Sequence, residues 1–230
     1  MRRTGFEDQV PFLSRLEFED RKSLLELGSQ MRFAVREVLL REHEPSAHVL
    51  IMLTGWTKVT AAAANGYEAL LALRGPGDIV GESAVLSGRS RSATVTALGQ
   101  VEALAIDPGR FLALLHERPA IAMRLLALTT DRIRDSDRRR MEFAALSVQE
   151  RLASLLLELS RTHGEMTSEG LRLTTGLTQQ ELAGSVGASR EAVARLLKTL
   201  RDRGVVLTGR RGLVVLRPEV LRRMAHEDAC

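Results

Sequence analysis

The density of turn-forming residues changes once along this chain, and that change constrains the fold more than any single residue. From about Met31 to Asp107 the apolar residues come in short runs. "EPSA", "LTG", "NGY" and "RGPGD" interrupt them at short intervals. Such punctuation predicts several short strands in a sandwich or barrel, and Asn65-Gly66 is the clearest hairpin signal among them. After Pro108 the texture switches: beyond Pro119 there is no strong breaker until about Ser147, and helix formers dominate. A helix running past about 25 residues is more often an interdomain or dimer helix than a core helix. Counted from Leu125, the residues Leu128, Thr129, Arg132, Ser136, Arg139 and Phe143 fall on one narrow stripe at helical spacing. That stripe is the expected dimer face. It is too mixed for a strong coiled coil.

The formal net charge of +4 is modest, but residues 187 to 223 alone carry +7, leaving −3 for the rest. A basic C-terminal end is where a polyanion would be met, although a solvated helix face would look the same. The single cysteine, Cys230, allows no intramolecular disulfide and no iron–sulfur cluster, and no His/Cys spacing suggests a metal site. Neither a signal-peptide core nor a run of about 20 apolar residues is present, so a cytoplasmic protein outside the membrane is expected. Walker loop, nucleophile elbow and metal motif are all missing, so no enzyme is expected.

Within the basic end, Thr178-Gln179-Gln180-Glu181 is a capping box that starts a helix. "VGAS" interrupts it. Gly187 supplies the left-handed turn, and Ser189 caps a second helix. There Val193, Leu196, Leu197 and Leu200 form a buried face and leave Arg190, Glu191, Arg195 and Lys198 outside. This is helix-turn-helix geometry. Arginine can bond guanine bidentately and glutamate can accept from cytosine, so these four residues, with Thr178, Gln179 and Ser189, are the candidate DNA contacts. "GVVLTGRRGLVVL" reads as two strands around a turn, a wing whose Arg210 and Arg211 would hold phosphates.

The whole chain resembles the cyclic AMP receptor protein/FNR family of bacterial transcription factors. "SREAVARLLKTLRDRGVV" is similar to the family's recognition helix, and "GESAVLSGRSRSATV", Gly81 to Val95, looks like its phosphate-binding cassette. The resemblance implies an α+β protein with three parts. Residues 1–107 would form a cyclic-nucleotide-binding-type β-barrel (a double-stranded β-helix or jelly roll), 108–147 a long dimerisation helix, and 148–230 a winged helix-turn-helix. It implies a cyclic nucleotide effector, cyclic AMP or cyclic GMP. Arg91 would neutralise the cyclic phosphate, the Ser92 and Ala93 amides and the Ser92 hydroxyl would bond its oxygens, and Glu82 would accept from the ribose 2′-hydroxyl. Gly81 would admit the sugar, with Ser83 beside it where an apolar residue is usual. Ser136 and Asp137 occupy the positions that face the base; Asp137 could equally pair with Arg138 to Arg140. The partners implied are a homodimer, double-stranded DNA with a palindromic TGTGA-like site, and RNA polymerase. Three alternatives stay open. Glu82 and Arg91 could simply staple the loop. The protein could bind DNA without nucleotide or sense another ligand. It could be a nucleotide-binding regulatory subunit of an enzyme or channel.

Overall fold

The structure is a computed structural model. It describes residues 10–64, 66–173, 176–209 and 212–225, so Asn65, Arg210, Arg211 and Cys230 lie outside the described residues. The chain divides into two compact units. One comprises Gln9–Gly66 and Leu71–Arg134; the other comprises Tyr67–Leu70 and the chain from Asp135 onward.

The first unit is built on two four-stranded antiparallel sheets. Strands β1 (Ser29–Phe33), β8 (Val101–Ile106), β3 (Val49–Thr54) and β6 (Ile79–Val80) form one sheet in that order. Strands β2 (Val38–Leu40), β7 (Thr94–Ala97), β4 (Thr57–Ala62) and β5 (Glu68–Arg74) form the other. Among the described residues no strand belongs to both sheets, so the expected barrel is an unclosed pair of sheets of jelly-roll type. The apolar run "VLIM" of β3 shows how the first sheet is used. Leu50 and Met52 point into a core shared with Leu40 of β2 and Val95 of β7. Val49 and Ile51 point the other way, into a core with Phe12, Leu24, Phe111, Leu125 and Leu128. A strand buried on both faces needs an unbroken apolar run, and this one has it.

The helices that cover this sheet are α1 (Phe18–Leu25), α3 (Pro108–Glu117) and α4 (Pro119–Ala145). The segment expected as one helix over 108–147 is therefore two. Asp107 caps α3 by accepting from the amides of Gly109 at 2.8 Å and Arg110 at 3.1 Å. Arg118 leaves the helical conformation before Pro119 starts α4, as the residue ahead of a proline usually does. The stripe expected at the dimer face is exposed at Thr129, Ser136 and Phe143 but not at its two leucines. Leu125 and Leu128 are buried in their own unit's core. The exposed apolar residues of α4 in this unit are Met123, Leu126 and Ile133, on a face turned by about 100°.

In the second unit α5 (Val148–His163) opens with a capping box between Ser147 and Glu150. Two short strands follow it, β9 (Gly164–Thr167) and β10 (Gly170–Leu173). They join the wing strands β11 (Val206–Gly209) and β12 (Gly212–Val215) in one sheet, ordered β11-β12-β10-β9. Helix α5 packs on β9 and β10, and α7 (Arg190–Asp202) on β11; α6 (Gln179–Val186) and α8 (Pro218–Met224) pack against α5. No helix among the described residues is long and apolar enough to cross a membrane.

Candidate functional site

A cavity of about 140 Å³ opens in the first unit beside the short helix α2 (Glu82–Ser87). Six of the residues expected at the ligand site, Gly81, Glu82, Ser83, Arg91, Ser92 and Ala93, line it together. Gly81 holds φ +83, and a Cβ there would strike the Arg91 guanidinium and stand 3.0 Å from Leu40 Cδ1. Glycine is required both by the backbone and by the space.

Glu82 and Arg91 are both buried, at 7% and 4% exposure. They do not staple the loop to each other. Arg91 Nη1 donates to the Gly81 carbonyl at 2.8 Å, and Nη2 donates to the His48 carbonyl. Burial pushes the Arg91 guanidinium below its ordinary value, and the Glu82 carboxylate opposes that push. Arginine keeps its charge in proteins. Burial, then the charge on Arg91, lowers the pKa of His48. The partner of Glu82 is Arg132 of α4: Nη1 donates to Glu82 Oε1 at 2.6 Å, and Nη2 to the Ile79 carbonyl at 2.9 Å.

Arg132 and Arg74 also line the cavity, and neither was expected there. The signal for Arg132 was its place on the stripe with Leu125 and Leu128. A face that buries its leucines carries its arginine inward too. Three guanidinium groups against one carboxylate make the cavity cationic, with one acceptor suited to a hydroxyl. That fits an anion bearing hydroxyls.

Arg89 lines a separate surface groove with His43 and Leu112. Ser136 and Asp137 belong to the other unit and are exposed. They are not among the lining residues of this cavity. Asp137 accepts from Arg140 Nη1 at 3.3 Å, the surface pairing considered for it above. Among the described residues no cluster of His, Cys, Asp or Glu could hold a metal ion.

In the second unit the expected turn forms as its residues dictate. Thr178 Oγ1 accepts from the Glu181 amide at 3.2 Å, while the Thr178 amide donates to Glu181 Oε2 at 2.6 Å. Gly187 ends α6 with φ +62, and Ser189 Oγ accepts from the Ala192 amide at 3.1 Å. Val193, Leu197 and Leu200 are buried, with Leu196 half-buried. Thr178, Gln179, Ser189, Arg190, Glu191, Arg195 and Lys198 are exposed. Arg201 Nη1 reaches the Thr208 hydroxyl at 3.1 Å and ties α7 to the wing. The Thr178 and Ser189 hydroxyls accept one bond each as caps and keep their O–H donors.

Residues 30–118 match the cyclic nucleotide-binding domain model, and residues 150–224 the Crp-like helix-turn-helix domain model. The CRP-like cAMP-activated global transcriptional regulator of Mycobacterium tuberculosis is 31% identical over 185 residues, covering 80% of this chain and 83% of that one. The cyclic AMP receptor protein of Thermus thermophilus is 35% identical over 162 residues, covering 69% and 70%. Among solved structures, the c-di-GMP responsive global regulator CLP of Xanthomonas campestris superimposes with a TM-score of 0.78 at 24% identity. It covers 86% of this chain and 99% of that one, and at that identity it supports the fold alone. A domain model over the cavity, another over the turn, and relatives at this identity across most of their length put the chain in the Crp/Fnr family: it is a DNA-binding transcriptional regulator that carries a cyclic nucleotide-binding domain.

Proposed function

We propose that this regulator is a cytoplasmic homodimer gated by a cyclic nucleotide, cyclic AMP ahead of cyclic GMP, bound beside α2. The observation that carries the reading is that buried Arg91 and buried Glu82 line one small cationic cavity together. The cyclic phosphate takes Arg91 and the amides near Ser92 and Ala93. The ribose 2′-hydroxyl takes Glu82, and the sugar lies against Gly81 and Ser83.

Both charged groups are already occupied within the protein, Arg91 by carbonyls and Glu82 by Arg132. Arg132 holds Glu82 through Oε1, so a ligand hydroxyl that bonds this carboxylate shares it with Arg132. The ligand thereby acts on α4 directly. It shifts the equilibrium between forms only by its differential affinity for them. Ser136 and Asp137, on the same helix, are the candidate contacts to the base. Residues 1–107 receive the ligand, 108–147 join two protomers, and 148–230 bind DNA. Met123, Leu126 and Ile133, exposed on one face of α4, are the apolar residues of the dimer seam.

Each recognition helix α7 then reads one half of a palindromic TGTGA-like site, with half-sites about 34 Å apart. Arg190, Glu191 and Arg195 face base edges; Lys198, Arg210 and Arg211 hold phosphates; Gln179 and the caps Thr178 and Ser189 position the pair. RNA polymerase is the downstream partner. Fluorescence anisotropy on a labelled palindrome tests the gating. The reading requires tight binding only when cyclic nucleotide is present. Equal affinity without nucleotide would make the protein a constitutive or differently gated regulator.

A further inference from the structure

Arg151, in the first turn of α5, belongs neither to the cavity nor to the surface of α7. Its guanidinium nevertheless gathers the ends of two other helices. Nε donates to the Val186 carbonyl, the last of α6, at 2.9 Å. Nη1 donates to the Phe143 carbonyl at 3.3 Å and to the Leu146 carbonyl, both at the C-terminal end of α4. The same guanidinium lies over the Phe143 ring, 4.9 Å from its centroid. On its other side that ring abuts the turn between α6 and α7, where a Cβ on Gly187 would stand 2.5 Å from Phe143 Cε1.

Helix C-termini leave carbonyls without intrahelical partners and carry partial negative charge. One planar cation that bonds such carbonyls on two helices, and stacks on an aromatic ring between them, fixes their relative placement. A lysine offers a point charge and no fork, so it cannot make the same set.

We propose that Arg151 is a positioning residue. With Phe143 it clasps the turn of the helix-turn-helix onto the end of α4, so that the placement of α7 follows that of the long helix. The inference rests on the reading of α7 as the base-reading element. It deepens that reading by naming what holds the element in place.

The test uses the full chain with Arg151→Gln, Arg151→Lys, Phe143→Leu and Phe143→Tyr. Two quantities are measured: affinity for a palindromic TGTGA duplex against a scrambled duplex of equal length and salt, and amide exchange over residues 186–190. For Arg151→Gln and Arg151→Lys, specific affinity should fall roughly tenfold, the equivalent of about one charge-assisted hydrogen bond. Affinity for scrambled DNA should change less than about twofold, because the basic surface that sets it is untouched. Exchange at 186–190 should quicken roughly tenfold, with the sheets of the first unit unchanged. Phe143→Tyr should keep wild-type values, and Phe143→Leu should repeat the loss in a milder form if Arg151→Gln folds poorly. Specific and scrambled affinities falling together, or unaltered exchange at 186–190, would overturn the clasp. A wild-type protein that does not distinguish the two duplexes would refute the base-reading assignment instead, and the exchange measurement alone would then decide the clasp.

Discussion

Replacing Arg132 by alanine should destabilise the first unit by about 3 kcal/mol. The Glu82 and Arg132 side chains are only 10% and 18% exposed, and their oxygen and nitrogen stand 2.6 Å apart. Removing one partner of a buried pair costs on the order of 3–5 kcal/mol where no other charge compensates the one left behind. The lower end applies because Arg91 and Arg74 line the same cavity as Glu82, and that cavity can admit water. Glu82→Gln keeps an acceptor for Arg132 and removes the charge, so it should cost about 1–2 kcal/mol. In that background Arg132→Ala no longer strands a charge and should cost about 1 kcal/mol. The predicted coupling in the double-mutant cycle is therefore about 2 kcal/mol. Trp56, the only tryptophan, lies in the first unit with its ring against Gly75, so its fluorescence during urea unfolding reports that unit. A coupling below about 0.5 kcal/mol would place the pair among ordinary surface ion pairs. It would also remove the argument that α4 is held by the ligand site.

Gly81→Ala should cost about 2 kcal/mol in the same assay and weaken nucleotide binding, since a left-handed backbone and the Arg91 guanidinium both oppose a Cβ there. Arg195→Ala should weaken binding to the palindrome by about 1–3 kcal/mol, with scrambled DNA nearly unaffected, as anisotropy would show. Burial holds His163 at about 4, below its ordinary 6.5, so the unfolded chain binds its proton first. Stability of the second unit should be constant above pH 6.5 and fall by about 3 kcal/mol as the pH drops toward 4. The urea midpoint followed by circular dichroism should show this, and His163→Gln should flatten the slope.

Local features were legible in the chain. The capping box at Thr178, the glycine turn at 187 and the cap at Ser189 are set by neighbours within four residues. Gly81, Glu82 and Arg91 were legible through the resemblance of "GESAVLSGRSRSATV" to the family's phosphate-binding cassette. What was hidden depends on contacts between distant segments. Periodicity marks Leu125, Leu128 and Arg132 as one face of a helix, but it does not tell whether a partner chain or the chain's own sheet covers that face. For Leu125 and Leu128 the structure answers with the chain's own core, and Arg132 beside them reaches Glu82, 50 residues away. Likewise, nothing local in Gly164–Leu173 fixes a partner for its backbone. It becomes two strands because β12 offers Val214 and Val215 as pairing partners for Arg172 and Leu171.

The central claim is that the cavity beside α2 takes a cyclic nucleotide. Calorimetric titration of the purified protein with cyclic AMP, and separately with cyclic GMP, tests it most directly, with Arg91→Ala as the matched control. Saturable binding of one nucleotide at one site per chain, abolished in Arg91→Ala, is the predicted result. No heat from either nucleotide, or binding that survives in Arg91→Ala, would contradict the claim.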